Sequence, residues 1–324
     1  MYLLIIFINC FVLIISFTLM TDHSAERYQI KVKLLKERLP LVEELARSCK
    51  LCPRECGVNR LEGEKGVCGI GSAPVYSSAN LHYGEEPPIS GYKGSGTIFM
   101  TSCNLNCKFC QNYPISQLRN GNVISTEVLA ALMLDLQDRG AHNINFVTPT
   151  HQAMAIFKAL IIAYKKGLKI PLVYNSGGYE SLEMLKLWDG IFDVYMPDSK
   201  YCDDDTALKI SNISEYTKHN QAALKEMHRQ VGVLELDKDG IAQSGLLIRH
   251  LVLPGGLAGS REVLRFISKE VSDETYISLM SQYFPAHKAV NHKILHRRVS
   301  RIEYQQAVDA LEEFGLENGW TQPV

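Results

Sequence analysis

Cys103, Cys107 and Cys110 stand in the run Cys-Asn-Leu-Asn-Cys-Lys-Phe-Cys, a Cys-x3-Cys-x2-Cys spacing. Three thiolates gathered by one short loop can hold three irons of a cubane cluster, whereas structural zinc and ordinary four-iron clusters use four protein ligands. One iron then stays open, and an open metal position marks a reactive site. Burial as three small apolar side chains is the plain alternative, and the tight spacing directly after a strand argues against it. A second group, Cys49, Cys52, Cys56 and Cys68, reads Cys-x2-Cys-x3-Cys-x11-Cys. Four thiolates close a coordination sphere, which suits zinc and a second four-iron cluster equally. Arg54 and Arg60 beside it read as solvated charges. Cys10 and Cys202 stand alone among nine cysteines. An odd, tightly grouped set in a chain of 324 residues points to metal ligation in a reducing compartment and away from a disulfide framework.

These loops need a scaffold, and the chain from Gly96 onward supplies one. Apolar runs at Thr97–Thr101, Asn143–Thr148, Pro171–Asn175, Phe192–Met196, Leu246–Leu253 and Tyr276–Met280 predict six strands. Helical stretches alternate with them at Thr126–Arg139, Gln152–Lys165, Glu180–Trp188 and Ser260–Val271, three of them closed by a glycine. The repeat predicts an α/β fold with a mostly parallel sheet, either doubly wound or a partial barrel, with its chemistry at the C-terminal strand ends. Tyr304, Ala307, Val308, Leu311 and Phe314 share one helical face and predict core docking. Residues 49–94, rich in Cys, Gly and Pro, predict an irregular module held by metal. Ala25–Arg47 reads as a charged surface helix that Pro40 breaks or kinks.

The domain reading is therefore a hydrophobic leader at 1–22, an N-terminal helix with the four-cysteine module at 23–94, a core at 95–285 and a helical extension at 286–324. Tyr2–Met20 is long enough to span a bilayer. Arg27, Lys31, Lys33 and Lys36 follow it, and the positive-inside rule then keeps the chain cytoplasmic, anchored to the inner face of the membrane. The competing readings are an extension from a misplaced start and a secretory signal, the latter lacking a preceding cation and a cleavage site. With 34 Lys+Arg against 35 Asp+Glu, nothing in the charge favours general nucleic-acid binding.

The triad, with Phe109 just before its third cysteine, resembles the cluster loop of the radical S-adenosylmethionine (radical SAM) superfamily. The wider run from Cys49-Lys50-Leu51-Cys52-Pro53-Arg54-Glu55-Cys56 through Gly84-Glu85-Glu86-Pro87-Pro88-Ile89-Ser90-Gly91 to Cys110-Gln111-Asn112-Tyr113-Pro114 is similar to pyruvate formate-lyase activating enzyme-like proteins. The resemblance implies a partial (β/α)6 barrel, a [4Fe-4S] cluster on Cys103, Cys107 and Cys110, and S-adenosylmethionine on the open iron beside Phe109 and Asn112. One departure stands out. Many relatives carry Gly-Gly-Glu after the second barrel strand to receive the methionyl amino group, and this chain has Thr148-Pro149-Thr150-His151. Thr148, Thr150 and His151 could supply other acceptors, or the segment is a turn capping the next helix. Asn175-Ser176-Gly177-Gly178-Tyr179 lets backbone approach a ligand, with Asn175 and Gly177 as contacts, or is ordinary turn chemistry.

Asp198 and Lys200 follow the fourth strand, and Arg249 and His250 lie on the fifth. Arg249 could pair with the ligand carboxylate, and Asp198 with its ribose or with Lys200. Alternation along the strand turns at most one of Arg249 and His250 inward. A structural ion pair and a satisfied core histidine are the bland versions. By resemblance the activity is reductive cleavage of S-adenosylmethionine, fed by a one-electron donor such as flavodoxin or ferredoxin. Hydrogen-atom abstraction follows, from a glycine in a glycyl-radical enzyme partner or from another peptide or small molecule. Tyr283–Arg298, basic and carrying Phe284 and Pro285, is a candidate docking surface or a solvated linker. A non-enzymatic metal-binding interaction protein explains the four-cysteine group and leaves the three-cysteine loop unexplained.

Overall fold

The computed structural model describes residues 27–323; the leader at 1–22 lies outside the described residues. Among those described, no helix is long and apolar enough to cross a membrane. Helix α1 (27–47) continues through Pro40, so the chain does not break there. Pro40 is exposed, so the backbone carbonyl that loses its donor there can turn to water. The opposite face buries Lys31, Leu35, Val42 and Ala46. At its start α1 reaches the entry ends of the sheet: Lys31 Nζ bonds Asp193 Oδ1 at 2.7 Å, and the Tyr28 hydroxyl donates to the Lys169 carbonyl at 2.6 Å.

Strand β1 (Val75–His82) pairs antiparallel with β2 (Ser95–Met100) across the short helix α2 (Pro87–Ser90). The stretch expected to be irregular thus contains an eight-residue strand. Beyond β2 come α3 (Tyr113–Ser116) and β3 (Asn122–Val123), which pairs with β1. Then the repeating unit sets in: α4 (Thr126–Asp138), β4 (Ile144–Val147), α5 (Ala153–Lys165), β5 (Leu172–Ser176), α6 (Leu182–Trp188) and β6 (Val194–Pro197). Ser125 and Ser181 accept hydrogen bonds from the Val128 and Met184 amides, which starts α4 and α6. Between β6 and the next long strand lie α7 (Asp204–Ser211), α8 (Tyr216–Val231) and β7 (Glu235–Leu236), none of them expected from the sequence. Strand β8 (Ala242–Leu251), α9 (Ser260–Phe266), continued as a π-helical turn through Val271, and β9 (Tyr276–Met280) complete the series. Helix α10 (Arg301–Glu313) opens with a Ser300/Glu303 capping box and buries Tyr304, Ala307, Ala310 and Leu311; β10 (Gly319–Thr321) then adds to the sheet edge.

The strand order is β10-β9-β8-β6-β5-β4-β2-β1-β3, with β7 on β8. The run β2-β4-β5-β6-β8-β9 is parallel throughout. Continuous burial along β5 and β6 is what a sheet covered on both faces requires. Six parallel strands with intervening helices form the partial barrel, and all six C-terminal ends open on one side. Outside the sheet Trp188 packs 4.1 Å from Phe157 and 4.9 Å from Phe192, centroid to centroid, anchoring α5 and α6.

Candidate metal and cofactor site

The loop that leaves β2 carries the triad and is held from several sides. The carbonyls of Ile210 and Ser211, at the C-terminus of α7, accept the Lys108 and Asn106 amides at 2.9 and 3.0 Å. Gln117 Nε2 donates to the Cys107 carbonyl at 2.7 Å, Asn104 Nδ2 to the Tyr179 carbonyl at 2.7 Å, and Arg54 Nε to the Asn104 carbonyl at 2.9 Å. The Ala289 amide bonds the Lys108 carbonyl at 2.9 Å. Ser102, which begins the loop, takes a left-handed backbone with φ of 73°, and its hydroxyl donates to the Cys68 carbonyl. Such a conformation survives in a non-glycine residue only where the surroundings fix it.

Cys103, Cys107 and Cys110 line a cavity of about 250 Å3 whose wall takes residues from the C-terminal ends of β2, β4, β5, β6, β8 and β9. After β4 comes Thr148, after β5 Gly177, after β6 Asp198 and Lys200, on β8 Arg249, and on and beyond β9 Met280 and Gln282. Phe109, Asn112 and Asn175 line it as well. Phe109 is buried and meets Tyr283 edge to face at 5.8 Å. Gly178 has φ of +72°, and a Cβ there would collide with the Asp198 carbonyl and the Asn220 amide. Only glycine lets the β5 turn approach β6 this closely.

The cavity's charges are organised around Arg249. Its Nε bonds Asp198 Oδ1 at 2.9 Å, one terminal nitrogen bonds Asn175 Oδ1 at 2.8 Å, and the other lies 3.6 Å from Glu85 Oε2. Lys200 Nζ pairs with the other oxygen of Asp198. Burial pushes the Asp198 carboxyl up, but Arg249 and Lys200 outweigh it and hold the group below its ordinary value. Glu86, buried next to Glu85, is pushed up by burial although Arg249 opposes this; its Oε2 accepts from Ser278 at 2.8 Å and from Trp320 at 3.0 Å. Neither the pairing of Glu85 with Arg249 nor that of Glu86 with Ser278 and Trp320 is marked by spacing in the sequence. The only signal for these two glutamates was membership of the Gly84–Gly91 motif.

Thr150 and His151 lie outside the cavity lining. The Thr150 hydroxyl donates to Glu180 Oε1 at 2.8 Å, and the His151 ring bonds the Thr101 carbonyl at 2.8 Å, both fully buried. Thr148 takes a left-handed turn with φ of 61°, after which the chain points these two side chains into the core. His250 faces away from Arg249: its Nδ1 bonds the Ser199 carbonyl at 2.6 Å and its Nε2 the Ser260 hydroxyl at 2.9 Å. Alternation on β8 separates the two as expected.

The triad's thiols suit metal. Burial, then the neighbouring Cys107, pushes Cys103 far up, and burial raises Cys107 to about 11 despite Lys200. Ser211 donates to Cys107 Sγ at 2.9 Å, and Ser116 lies 3.2 Å from Cys110 Sγ. Burial that holds Cys103 and Cys107 protonated is overcome when a metal takes the proton's place on sulfur. Three cysteine sulfurs beside a polar cavity match a [4Fe-4S] cluster with one iron facing a ligand. In the N-terminal module Cys49, Cys52 and Cys68 are buried and Cys56 is half-buried. Arg60, read as solvated, is instead buried against two of them, and Arg54 is tied to the Asn104 and Asn212 carbonyls. The eight cysteines among the described residues are free thiols.

The radical SAM superfamily model matches residues 97–234, from β2 through α8, with the triad loop inside. A protein of Methanocaldococcus jannaschii, the uncharacterised MJ0674, is 30% identical over 301 residues, covering 89% of this chain and 81% of that one. Among solved structures, Streptococcus suis SuiB bound to its precursor peptide SuiA superposes with a TM-score of 0.48 at 10% identity. The hydrogenase maturase HydG of Carboxydothermus hydrogenoformans gives 0.48 at 14%, and methylornithine synthase 0.45 at 14%. The matches cover 69%, 68% and 68% of this chain, but only 47%, 50% and 61% of those proteins. By its matched core and the cysteine loop that core contains, the chain belongs to the radical SAM superfamily, whose enzymes use a [4Fe-4S] cluster and S-adenosylmethionine.

Proposed function

We propose that this protein cleaves S-adenosylmethionine reductively in the cavity at the C-terminal strand ends and removes a hydrogen atom from a glycine of a partner polypeptide. The observation that carries the reading is the convergence of buried Cys107, half-buried Cys103 and Cys110, and a paired Arg249–Asp198–Lys200 set on one cavity lined from the ends of β2, β4, β5, β6, β8 and β9. Cys103, Cys107 and Cys110 would hold a [4Fe-4S] cluster that, reduced by a flavodoxin- or ferredoxin-like donor, would supply one electron for cleaving S-adenosylmethionine to methionine and a 5′-deoxyadenosyl radical.

The chain's own residues bind, orient and shield. Arg249 offers its guanidinium to a ligand carboxylate, and Asp198 offers oxygens to ribose hydroxyls. Thr148 and Asn175 bring neutral polar groups to the same wall, Gly177 brings backbone, and Phe109 and Asn112 flank the loop. Thr150 and His151 support the adjacent turn from within the core. Enclosure keeps water from a reactive alkyl radical, which must meet its hydrogen donor at near-contact distance. The substrate therefore enters at the cavity mouth. Gln282 lines the cavity and leads into the segment 283–298, where Phe284, Val290 and Ile294 are exposed among Lys288, Lys293 and Arg297. That mixture of apolar and basic groups supports docking of a polypeptide. A cytoplasmic setting, where thiols stay reduced, belongs to the same reading.

The test is isotopic. Reduced enzyme and S-adenosylmethionine are incubated with candidate partners carrying deuterated glycine, and 5′-deoxyadenosine is analysed by mass spectrometry. Deuterium in the nucleoside, with a carbon-centred radical on the partner, is the expected result. Deuterium arriving only from another peptide position or a small metabolite rejects the glycine assignment and redirects the substrate class.

A further inference from the structure

Arg60 is only 1% exposed, within the N-terminal module. Its Nε donates to Cys49 Sγ at 3.0 Å, one terminal nitrogen to Cys68 Sγ at 2.9 Å, and the other to the His151 carbonyl at 2.6 Å. A guanidinium stays protonated throughout the pH range of folded proteins, so this is a permanent buried positive charge. Leaving such a charge without a counter-ion is strongly destabilising. Among the described residues no carboxylate bonds to Arg60; its side-chain partners are the two sulfurs. The balancing charge must sit on the cysteines. Four thiolates on zinc and four thiolates on a [4Fe-4S] core both leave a net negative charge, and both need the donors this module gathers.

We propose that Cys49, Cys52, Cys56 and Cys68 hold a second, four-thiolate metal centre, zinc or [4Fe-4S], with the buried Arg60 guanidinium as its counter-ion. Among the described residues no group of His, Cys, Asp or Glu is already closed around a single ion; the assignment stands on donor type, burial and charge. Backbone packing agrees with it. At Gly66 a Cβ would come 2.8 Å from Cys56 Sγ, so the main chain passes directly against the fourth sulfur. Position gives the centre a consequence for the triad. Arg60 grips the His151 carbonyl, His151 holds the Thr101 carbonyl, and the Cys68 carbonyl accepts from Ser102. Thr101 and Ser102 lead straight into Cys103, so the second centre buttresses the start of the triad loop.

The experiment uses the full chain with Cys103, Cys107 and Cys110 replaced by Ala, which empties the first site and leaves the second as the only cysteine cluster. After anaerobic reconstitution, metal and sulfide are counted and X-ray absorption is recorded at the zinc and iron edges. About one zinc, or about four irons with matching sulfide, in an all-sulfur first shell near 2.3 Å is expected, the count separating the two metals. A folded chain with neither metal overturns the proposal, as does a shell with oxygen or nitrogen neighbours. Arg60→Met should weaken metal retention against a chelator by about 10- to 100-fold, as loss of partners to metal ligands generally does. Arg60→Lys, which keeps the charge with fewer fixed donors, should fall between. Unchanged retention in Arg60→Met overturns the counter-ion role; if that variant does not fold, unchanged retention in Arg60→Lys does so. None of these readouts involves 5′-deoxyadenosine, so failure here leaves the radical reading standing, and the reverse holds too.

Discussion

Glu180 permits a quantitative test of how the turns beneath the cavity are built. Its carboxyl is fully buried, receives the Thr150 hydroxyl at 2.8 Å and the Tyr174 hydroxyl at 2.9 Å, and has no cation beside it among the described residues. Burial raises its pKa from 4.5 to about 7, with the Thr150, Tyr174 and Ser176 hydroxyls pulling the other way. At about 1.4 kcal/mol per tenfold change in proton affinity, that displacement corresponds to about 3 kcal/mol. The folded state binds the proton more tightly than the unfolded one. The contribution to stability is therefore complete below about pH 4.5, declines as pH rises toward 7, and is fully lost above it. Glu180→Gln keeps the shape, stays neutral, and can bond both hydroxyls, which accept as well as donate. The variant should match the parent near pH 4.5 and exceed it by roughly 2–3 kcal/mol at pH 8. Urea denaturation of both chains at the two pH values measures the difference directly. A gap that does not change with pH, or a variant less stable at pH 8, would refute the picture of an uncompensated buried carboxyl.

Three further outcomes follow from the same geometry. Arg249→Met strands Asp198 beside Lys200 alone and removes the cation facing Glu85, so it should cost on the order of 3–5 kcal/mol in thermal or urea unfolding and abolish S-adenosylmethionine binding by calorimetry, whereas Arg249→Lys should recover part of the stability. Thr148→Gly relieves a β-branched residue from the left-handed region, and after the entropic cost of glycine the chain should be unchanged or up to about 1 kcal/mol more stable; a loss above about 1 kcal/mol would contradict the strain. His250 is buried neutral, its pKa lowered by burial to about 4, so it favours folding above the unfolded value near 6.5 and loses this as pH falls toward 4; His250→Gln should flatten the acid limb of the stability profile by up to about 3 kcal/mol, and an unaltered limb would reject it.

How much of this was legible in the sequence depends on where each residue spends its polarity. The six parallel strands announce themselves because both faces are covered, which demands apolar runs such as Leu172–Ser176. Strand β1 hides because its sequence, Val-Tyr-Ser-Ser-Ala-Asn-Leu-His, is polar and half-exposed, and its identity comes from pairing with β2. Helices α7 and α8 were passed over for their charge, although Ala223, Leu224 and Met227 mark a buried face. The triad was readable because three thiols in eight residues leave little else to do. Arg60 was not, since a cation's burial depends on sulfurs that the fold brings to it. Glu85 reaches Arg249, and Glu86 reaches Ser278 and Trp320, only when the sheet curves, a closure that no local pattern encodes. Thr150 and His151 were candidates because they stand where relatives carry Gly-Gly-Glu, with a turn capping the next helix as the alternative; beyond the left-handed Thr148 they point toward Glu180 and Thr101.

The central claim is that the Cys103–Cys110 loop and the cavity behind it form the site of S-adenosylmethionine cleavage. Anaerobically reconstituted chain, reduced with dithionite in the presence of S-adenosylmethionine, should release 5′-deoxyadenosine and methionine in equal amounts. Cys103→Ala, Cys107→Ala and Cys110→Ala should each abolish both products while the fold persists by circular dichroism. A triple variant that still makes 5′-deoxyadenosine would contradict the account.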